Sequence, residues 1–339
     1  MMVRAEDILE QAARWCADGH MVALATVIET WGSSPRPVGS QLVISNTRQF
    51  AGSVSGGCIE GAVVGEAIKV IASGKSTTLK FNVSDEEALN IGLTCGGSVS
   101  VLINPVDPDG ILKELALNIA KRTPLSIITK LSSGEQSLAS AANHPDTLSN
   151  ELVQSGLDAI NSRVSSIKDD AGEQYFIHAF PPAPRIFVVG AGHIAQALCP
   201  MANIAGFDVT IIDPRPAFIT EQRFPGINPD NLAGVWPDEF FGDHKPDCST
   251  AIVTLVHDPK IDDPALEIAI RSEAFYVGAL GSKRTNEKRE QRFITNGYTK
   301  DELLRIHAPI GLDLGGRKPP EIAVSILAEI VQVWSGKSP

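Results

Sequence analysis

The chain carries two hydrophobic rhythms. From residue 185 onward, apolar β-branched runs alternate with helical repeats: RIFVVG, then HIAQALCPMANI, DVTIID, STAIVTLVHD, DDPALEIAIRSEA, AFYVGALGS and PPEIAVSILAEIVQVW. Strands alternating with amphipathic helices predict successive β-α-β units on a parallel, doubly wound sheet. In the last run a proline opens the first turn, Glu321 lies near the positive end of the dipole, and Ile322, Ile326, Ile330 and Val333 share one stripe. That pattern predicts a helix that closes the sheet. The first half is organised differently. Short strand candidates MVALATVIE, QLVIS, TTLKFNV and SVSVLIN are bounded by Gly, Pro, Ser and Asn, and helical patterns cover residues 5–17, 58–72 and 147–161. This predicts a mixed α+β domain whose strand order stays open, with the polar segment 130–150 as a loop or loose hairpin. FPPAPR, residues 180–185, puts three prolines in four positions, which neither a helix nor a central strand continues through. The expected domains are therefore residues 1–180 and 185–339.

The first turn of the second domain narrows its type. Gly190, Gly192 and Ala195 form G-x-G-x-x-A between a strand and a helix, and Asp213 ends the next strand about 20 residues later. Residues without bulky side chains let the backbone approach a pyrophosphate, and the helix N-terminus favours its charge. The expected fold is Rossmann-like, with Asp213 placed for a ribose hydroxyl. Arg215 is instead suited to a 2'-phosphate, or is a solvated surface arginine. His193, inside the turn, is a phosphate donor or simply an exposed first-turn residue. His257 and Asp258 end a strand at the carboxyl edge of the sheet, where ligands of such folds bind, although an Asp before Pro259 also suits a turn.

The first domain has its own glycine-rich turn. In SVSGGCIEGAVVGEAIKVIAS, Gly56 and Gly57 permit positive φ, and Ile59, Val63, Ala67 and Ile71 then fall on one helical stripe. Cys58 lands at the N-cap or first turn, where helix N–H groups stabilise a thiolate and the glycine pair offers a concavity for an anion. Cys95 precedes a second pair, Gly96-Gly97. Both thiols read equally well as small apolar fillers at tight turns. Cys16, Cys199 and Cys248 read as packing residues.

Composition narrows the classes. With 339 residues the chain has room for two cores, and its net charge of −11 opposes a nucleic-acid partner, although Lys283, Arg284, Lys288 and Arg289 form a local basic cluster. Five cysteines without disulfide-scaffold spacing, no long apolar span and no signal-peptide pattern predict a cytoplasmic protein with reduced thiols. H-x-x-x-H, C-x-x-C, P-loop and G-x-S-x-G patterns are absent from the sequence.

The segments ETWGSSPRPVGSQLVIS, SVSGGCIEGAV, FVVGAGHIAQAL, IIDPRPAF, YVGALGSKRT and APIGLDLGGRKPPEIAVSILAEI together resemble the xanthine dehydrogenase accessory factor (XdhC/CoxI) family. The resemblance spans both domains and includes Ser33, Ser34, Pro35, Arg36, Gly56, Gly57, Cys58, Cys95, Gly190 and Gly192. It implies a maturation factor that binds molybdenum cofactor (molybdopterin), assists its sulfuration by a cysteine desulfurase, and delivers it to an apo molybdenum hydroxylase of the xanthine dehydrogenase type. It further implies a homodimer. In that setting Cys58 and, second, Cys95 are the expected molybdenum-proximal thiols, and Arg36 is suited to pair with phosphate or an oxo group. Two other classes stay open: an NAD(P)-dependent oxidoreductase, on the strength of the glycine turn and Asp213, and an enzyme that handles a nucleotide half of the cofactor.

Overall fold

The computed structural model describes residues 5–32, 36–81 and 97–336. They form two compact units, Val3–Pro182 and Ala183–Pro339.

The first unit stacks helices and two antiparallel sheets. Strands β1 (Val22–Trp31), β2 (Gln41–Ser45), β3 (Phe50–Gly52), β4 (Thr77–Phe81) and β5 (Ser98–Pro105) make a sheet of order β3-β2-β1-β5-β4. Strands β6 (Leu125–Lys130), β7 (Gln136–Ala139), β8 (Ser166–Asp170) and β9 (Glu173–Phe180) make a second, of order β7-β6-β9-β8. Helices α1 (Ala5–Ala17), α2 (Glu60–Ser73), α3 (Ile111–Ala120) and α4 (Asn150–Ser162) fill the layers. The period of two in β1 decides which face meets which helix. Ala23, Ala25 and Val27 turn toward Val63, Ala67 and Val70 of α2. Val22 and Leu24 turn the other way, toward Ile8, Leu9 and Ala12 of α1 and Leu112 and Leu115 of α3. The four-stranded sheet gives Leu125, Ile127 and Phe180 to that same core, and Ile128, Ala139 and Ile177 to Leu152 and Ala159 of α4. The polar segment expected as a loop or loose hairpin supplies β7, which pairs with β6 over Ser126↔Ala139 to Thr129↔Gln136.

The second unit has a single sheet of β10 (Arg185–Val189), β11 (Asp208–Ile212), β12 (Leu232–Ala233), β13 (Thr250–Thr254), β14 (Tyr276–Ala279) and β15 (Ile306–His307). Every pairing is parallel and the order is β12-β11-β10-β13-β14-β15, which numbered within the unit is 3-2-1-4-5-6. This is the Rossmann order, with its switch point between β10 and β13. Helices α5 (His193–Ile204) and α10 (Pro319–Trp334) cover one face, and α6 (Pro237–Asp243), α7 (Pro259–Arg271) and α8 (Lys283–Thr295) the other, with α9 (Lys300–Leu303) following α8. On the stripe read from the sequence, Ile326 and Ile330 are fully buried against Ala195, Leu198 and Ala202 of α5, each contributing roughly 1.5–3 kcal/mol. No helix among the described residues is long and apolar enough to cross a membrane.

Candidate functional site

The SVSGGC loop is organised by a residue that follows it. Glu60, the first residue of α2, is only 7% exposed and turns its carboxylate back into the loop. Oε1 accepts from Ser53 Oγ (2.7 Å), Val54 N–H (3.2 Å) and Ser55 N–H (3.0 Å), and Oε2 from Ser55 Oγ (2.5 Å) and Gly57 N–H (2.9 Å). The remaining N–H groups are taken by hydroxyls: Gly56 donates to Ser53 Oγ (2.8 Å), Cys58 to Ser55 Oγ (3.0 Å) and Ile59 to Ser55 Oγ (3.1 Å). Burial alone would raise the Glu60 pKa, but these donors, Ser55 and Ser53 foremost, outweigh it and hold the carboxyl at about 2. Gly56 and Gly57 take φ of +81° and +122°, the left-handed conformations that let consecutive N–H groups converge on one carboxylate. The anion concavity read from the glycine pair is real, and the protein fills it with its own anion. An external phosphate finds no free backbone donor between Val54 and Ile59 in this conformation. What the loop presents instead is the half-buried Cys58, two residues ahead of α2 and packed beside Ile59 and Val63.

The glycine turn of the second unit has the opposite character. Gly190 is held at φ +109°, and a Cβ there would lie 2.5 Å from Val256 Cγ2, so the close strand approach needs glycine. Gly192 is the N-cap of α5, with open space where a side chain would be. The first intrahelical bond runs from Gln196 N–H to Gly192 O at 3.1 Å, so the preceding N–H groups of the turn have no intrahelical acceptor. These groups fit a phosphate approaching the helix end. His193 is the first helical residue and is exposed beside them.

Asp213 is fully buried, and its two oxygens are filled. Oδ2 accepts from Ala191 N–H (2.8 Å) and Arg215 Nη2 (2.7 Å), and Oδ1 from Arg215 N–H (3.0 Å) and Nε (2.8 Å). Burial works to raise its pKa, and the Arg215 and Ala191 donors overcome that and lower it. Four donors occupy the four lone-pair sites of a carboxylate, so Asp213 serves the turn. Acting on a ribose hydroxyl would require Arg215 to swing away. Arg215 itself lies over the Phe218 ring at 4.1 Å, and Arg223 approaches the same ring at 5.2 Å while donating to Ala191 O at 3.2 Å. Two guanidinium groups thus flank the turn.

Family models match along the chain in two stretches: the XdhC and CoxI family over residues 15–82, which contains the Glu60-filled loop, and the XdhC Rossmann domain over residues 186–330, which contains the open turn. The chain belongs to the XdhC and CoxI family. Among curated relatives it is 27% identical to the molybdenum cofactor insertion chaperone PaoD of Escherichia coli, over 96% of this chain and 87% of PaoD. It is 24% identical to a probable xanthine dehydrogenase subunit of Bacillus subtilis, over 93% of this chain and 94% of that protein. The solved structure of a xanthine dehydrogenase from Bacillus halodurans shares the fold, with a TM-score of 0.73 and 24% identity over 97% of this chain and 96% of that one.

The other residues expected to matter in this XdhC-type chain are spread over several elements. Cys95, and the Ser33, Ser34 and Pro35 of the XdhC/CoxI resemblance, lie outside the described residues. Arg36 follows them in the β1–β2 connection and is half-buried. That connection rests on His178: a Cβ on Gly39 would lie 3.1 Å from His178 Nε2. His178 is enclosed between Phe176 and Phe180, and burial pushes its pKa down to about 4 against a hydrogen bond with the Gly39 backbone. In the second unit Asp258 caps α7, accepting from Lys260 N–H at 3.0 Å, which is the turn role. His257 is held at φ +66° by its N–H bond to Asp262 Oδ2 at 3.0 Å. Cys199 packs in the core, where burial pushes its thiol to about 12, and Cys16 is half-buried with its pKa raised by burial and by Asp107. Cys248, expected to pack, is exposed, because it sits in the turn before β13 and not on its inward face. Among the described residues no group of three or more His, Cys, Asp or Glu is arranged to hold a metal ion. Glu60 was not visible as a site residue, though an acid at the first helical position, three residues after Gly57, was a signal for a side chain that reaches back to the loop.

Proposed function

We propose that this XdhC/CoxI-family chain is a cytoplasmic maturation factor that binds molybdenum cofactor and inserts it into an apo hydroxylase of the xanthine dehydrogenase type. PaoD, similar along nearly the whole chain, carries the name of a molybdenum cofactor insertion chaperone, which supports the reading. The structural observation that carries it is the Glu60-filled loop. With every backbone donor from Val54 to Ile59 engaged, the group left to meet a ligand is the thiol of Cys58, a soft donor suited to molybdenum or to a transferable sulfur. Glu60, Gly56 and Gly57 position that thiol, Cys95 is its second, and Arg36 pairs with an oxo or phosphate group of the cofactor. The cofactor supplies the metal chemistry; the chain binds, orients and shields it while a cysteine desulfurase sulfurates it, and does so as a homodimer. Native mass spectrometry of protein co-expressed with cofactor synthesis tests this. Wild type is expected to carry the cofactor mass on a dimer and Cys58→Ala to lose most of it; equal loading of the two would remove Cys58 from the site.

A second reading concerns the C-terminal unit alone and rests on the open space at Gly192 and the free first turn of α5. There we infer a nucleotide site with Gly190, Gly192 and His193 at the phosphates. Because Arg215 saturates Asp213, a 2'-phosphorylated nucleotide is expected to be preferred over one with a free ribose hydroxyl. Calorimetry with NADP(H) and NAD(H) decides this, and equal affinity for both would contradict it.

A further inference from the structure

The second unit holds a further cavity, of about 530 Å³, at the carboxyl edge of β13 and β14, lined by His257, Asp262, Arg284, Lys288, Arg289 and Arg292 among others. Its size is that of a small-molecule site. Arg284, Lys288, Arg289 and Arg292 recur along one stripe of α8 at helical spacing, so they converge on one side. The acids of the same helix, Glu287 and Glu290, line a different depression together with Phe293.

The charges do not cancel. Arg292 is held in a two-point pair with Asp263, Nε to Oδ2 at 2.8 Å and Nη2 to Oδ1 at 2.9 Å. Arg289 is 4% exposed and lies 3.8 Å from Asp262 Oδ2. Asp262 gives its two oxygens to the backbone, Oδ1 accepting from Val256 N–H at 3.3 Å and Oδ2 from His257 N–H at 3.0 Å. Each of these arginines thus has a carboxylate counterpart. Arg284 and Lys288 have none: among the described residues neither forms an ion pair. Two cationic charges are therefore left over, the charge of a phosphate monoester. One buried donor is also unfilled. Arg289 donates through Nη1 to Asn286 and through Nη2 to Leu280 O (3.1 Å), and its buried Nε, without a hydrogen-bond acceptor, faces Asp263 Oδ1 at 4.0 Å. The strained backbone of His257 at the same cavity is a further sign of a site, since such conformations persist where the surroundings enforce them.

We propose that this cavity binds the phosphate-monoester dianion of a small ligand, with Arg284 and Lys288 as its charge partners beside the buried Arg289. The cavity opens at the carboxyl edge of the same sheet as the glycine turn, where Gly190 packs on Val256 next to His257, but its free cations, Arg284 and Lys288, belong to α8 and not to the turn. Isothermal titration of the full chain in low-salt, phosphate-free buffer tests it, with inorganic phosphate and ribose 5-phosphate as probes. Both are expected to bind, the ester more tightly because the cavity is larger than phosphate alone. Arg284→Ala and Lys288→Ala each weaken binding about tenfold, and the double variant about a hundredfold, with affinity falling as salt rises. Both side chains are exposed, so the variants keep the wild-type Tm without ligand. Gly192→Asp, which blocks the glycine turn, leaves this binding intact. No binding by wild type, exclusion of the ester, undiminished affinity in the double variant, or loss of binding in Gly192→Asp would each overturn the proposal.

Discussion

Two glycine turns, each leading into a helix, are built on opposite electrostatic plans. At Gly56-Gly57 the backbone N–H groups converge on the carboxylate of Glu60 and the hydroxyls of Ser53 and Ser55. At Gly190-Gly192 the N–H of Gly190 goes to Ile212 O and that of Ala191 to Asp213, whose remaining capacity goes to Arg215, while the N–H groups from Gly192 into the first turn of α5 have no intrahelical acceptor and Gly192 borders open space. The first turn is a closed frame that exposes a thiol. The second is an open cradle for an anion. One side chain, an acid at the head of the helix, makes the difference, so glycine spacing by itself does not identify an anion site.

The strongest way to break the contrast is to empty the closed turn. Glu60→Ala strands two hydroxyls and three N–H groups in a mostly buried loop, and is expected to cost roughly 3–5 kcal/mol, read as a lower urea midpoint. An unchanged midpoint would mean that the loop is not held by this carboxylate.

Next in size is a pH effect belonging to the first unit. His178 has a folded pKa near 4 against an ordinary value of 6.5, so the unfolded chain takes up the proton first. Its contribution is complete above pH 6.5 and declines as pH falls toward 4, by about 3 kcal/mol in all. Urea midpoints measured at pH 7 and pH 4.5 are expected to separate clearly for wild type and much less for His178→Phe.

Substitutions at the glycines themselves should then sort by conformation. Gly57→Ala meets nothing within 4 Å but forces a side chain onto φ +122°, at a cost of about 1–3 kcal/mol. Gly192→Ala, also in open space but at an ordinary φ of −80°, is expected to change stability by less than about 0.5 kcal/mol while weakening nucleotide affinity. Thermal melts and calorimetry on the two variants separate the conformational cost from the ligand cost.

The second unit was the more legible in sequence, because its strands and helices alternate locally and each β-α-β unit carries its own handedness and neighbour. β12 and β15, two residues each, were too short to show a periodicity. Three of the first unit's helices were legible, the pattern at residues 5–17 matching Ala5–Ala17, while α3, Ile111–Ala120, was not read from the sequence. The unit's sheet order was not legible, since β1 pairs with β5 across some 70 residues through contacts that no local pattern records. At the site, the glycines and Cys58 stood out by type and spacing. Glu60 and Arg215 did not, because their roles depend on where a side chain folds back, and an acid in a first helical turn is ordinary on dipole grounds alone.

Amide hydrogen exchange on the two turns tests the contrast most directly. The amides of Val54, Ser55, Gly57 and Cys58 are expected to exchange slowly in the unliganded protein, and little differently with nucleotide or phosphate present. Those of Gly192, His193 and Ile194 are expected to exchange fast and to become protected when nucleotide is added. Fast exchange in the first turn with protection by added phosphate would contradict the account, since Glu60 would then not be the anion that fills it.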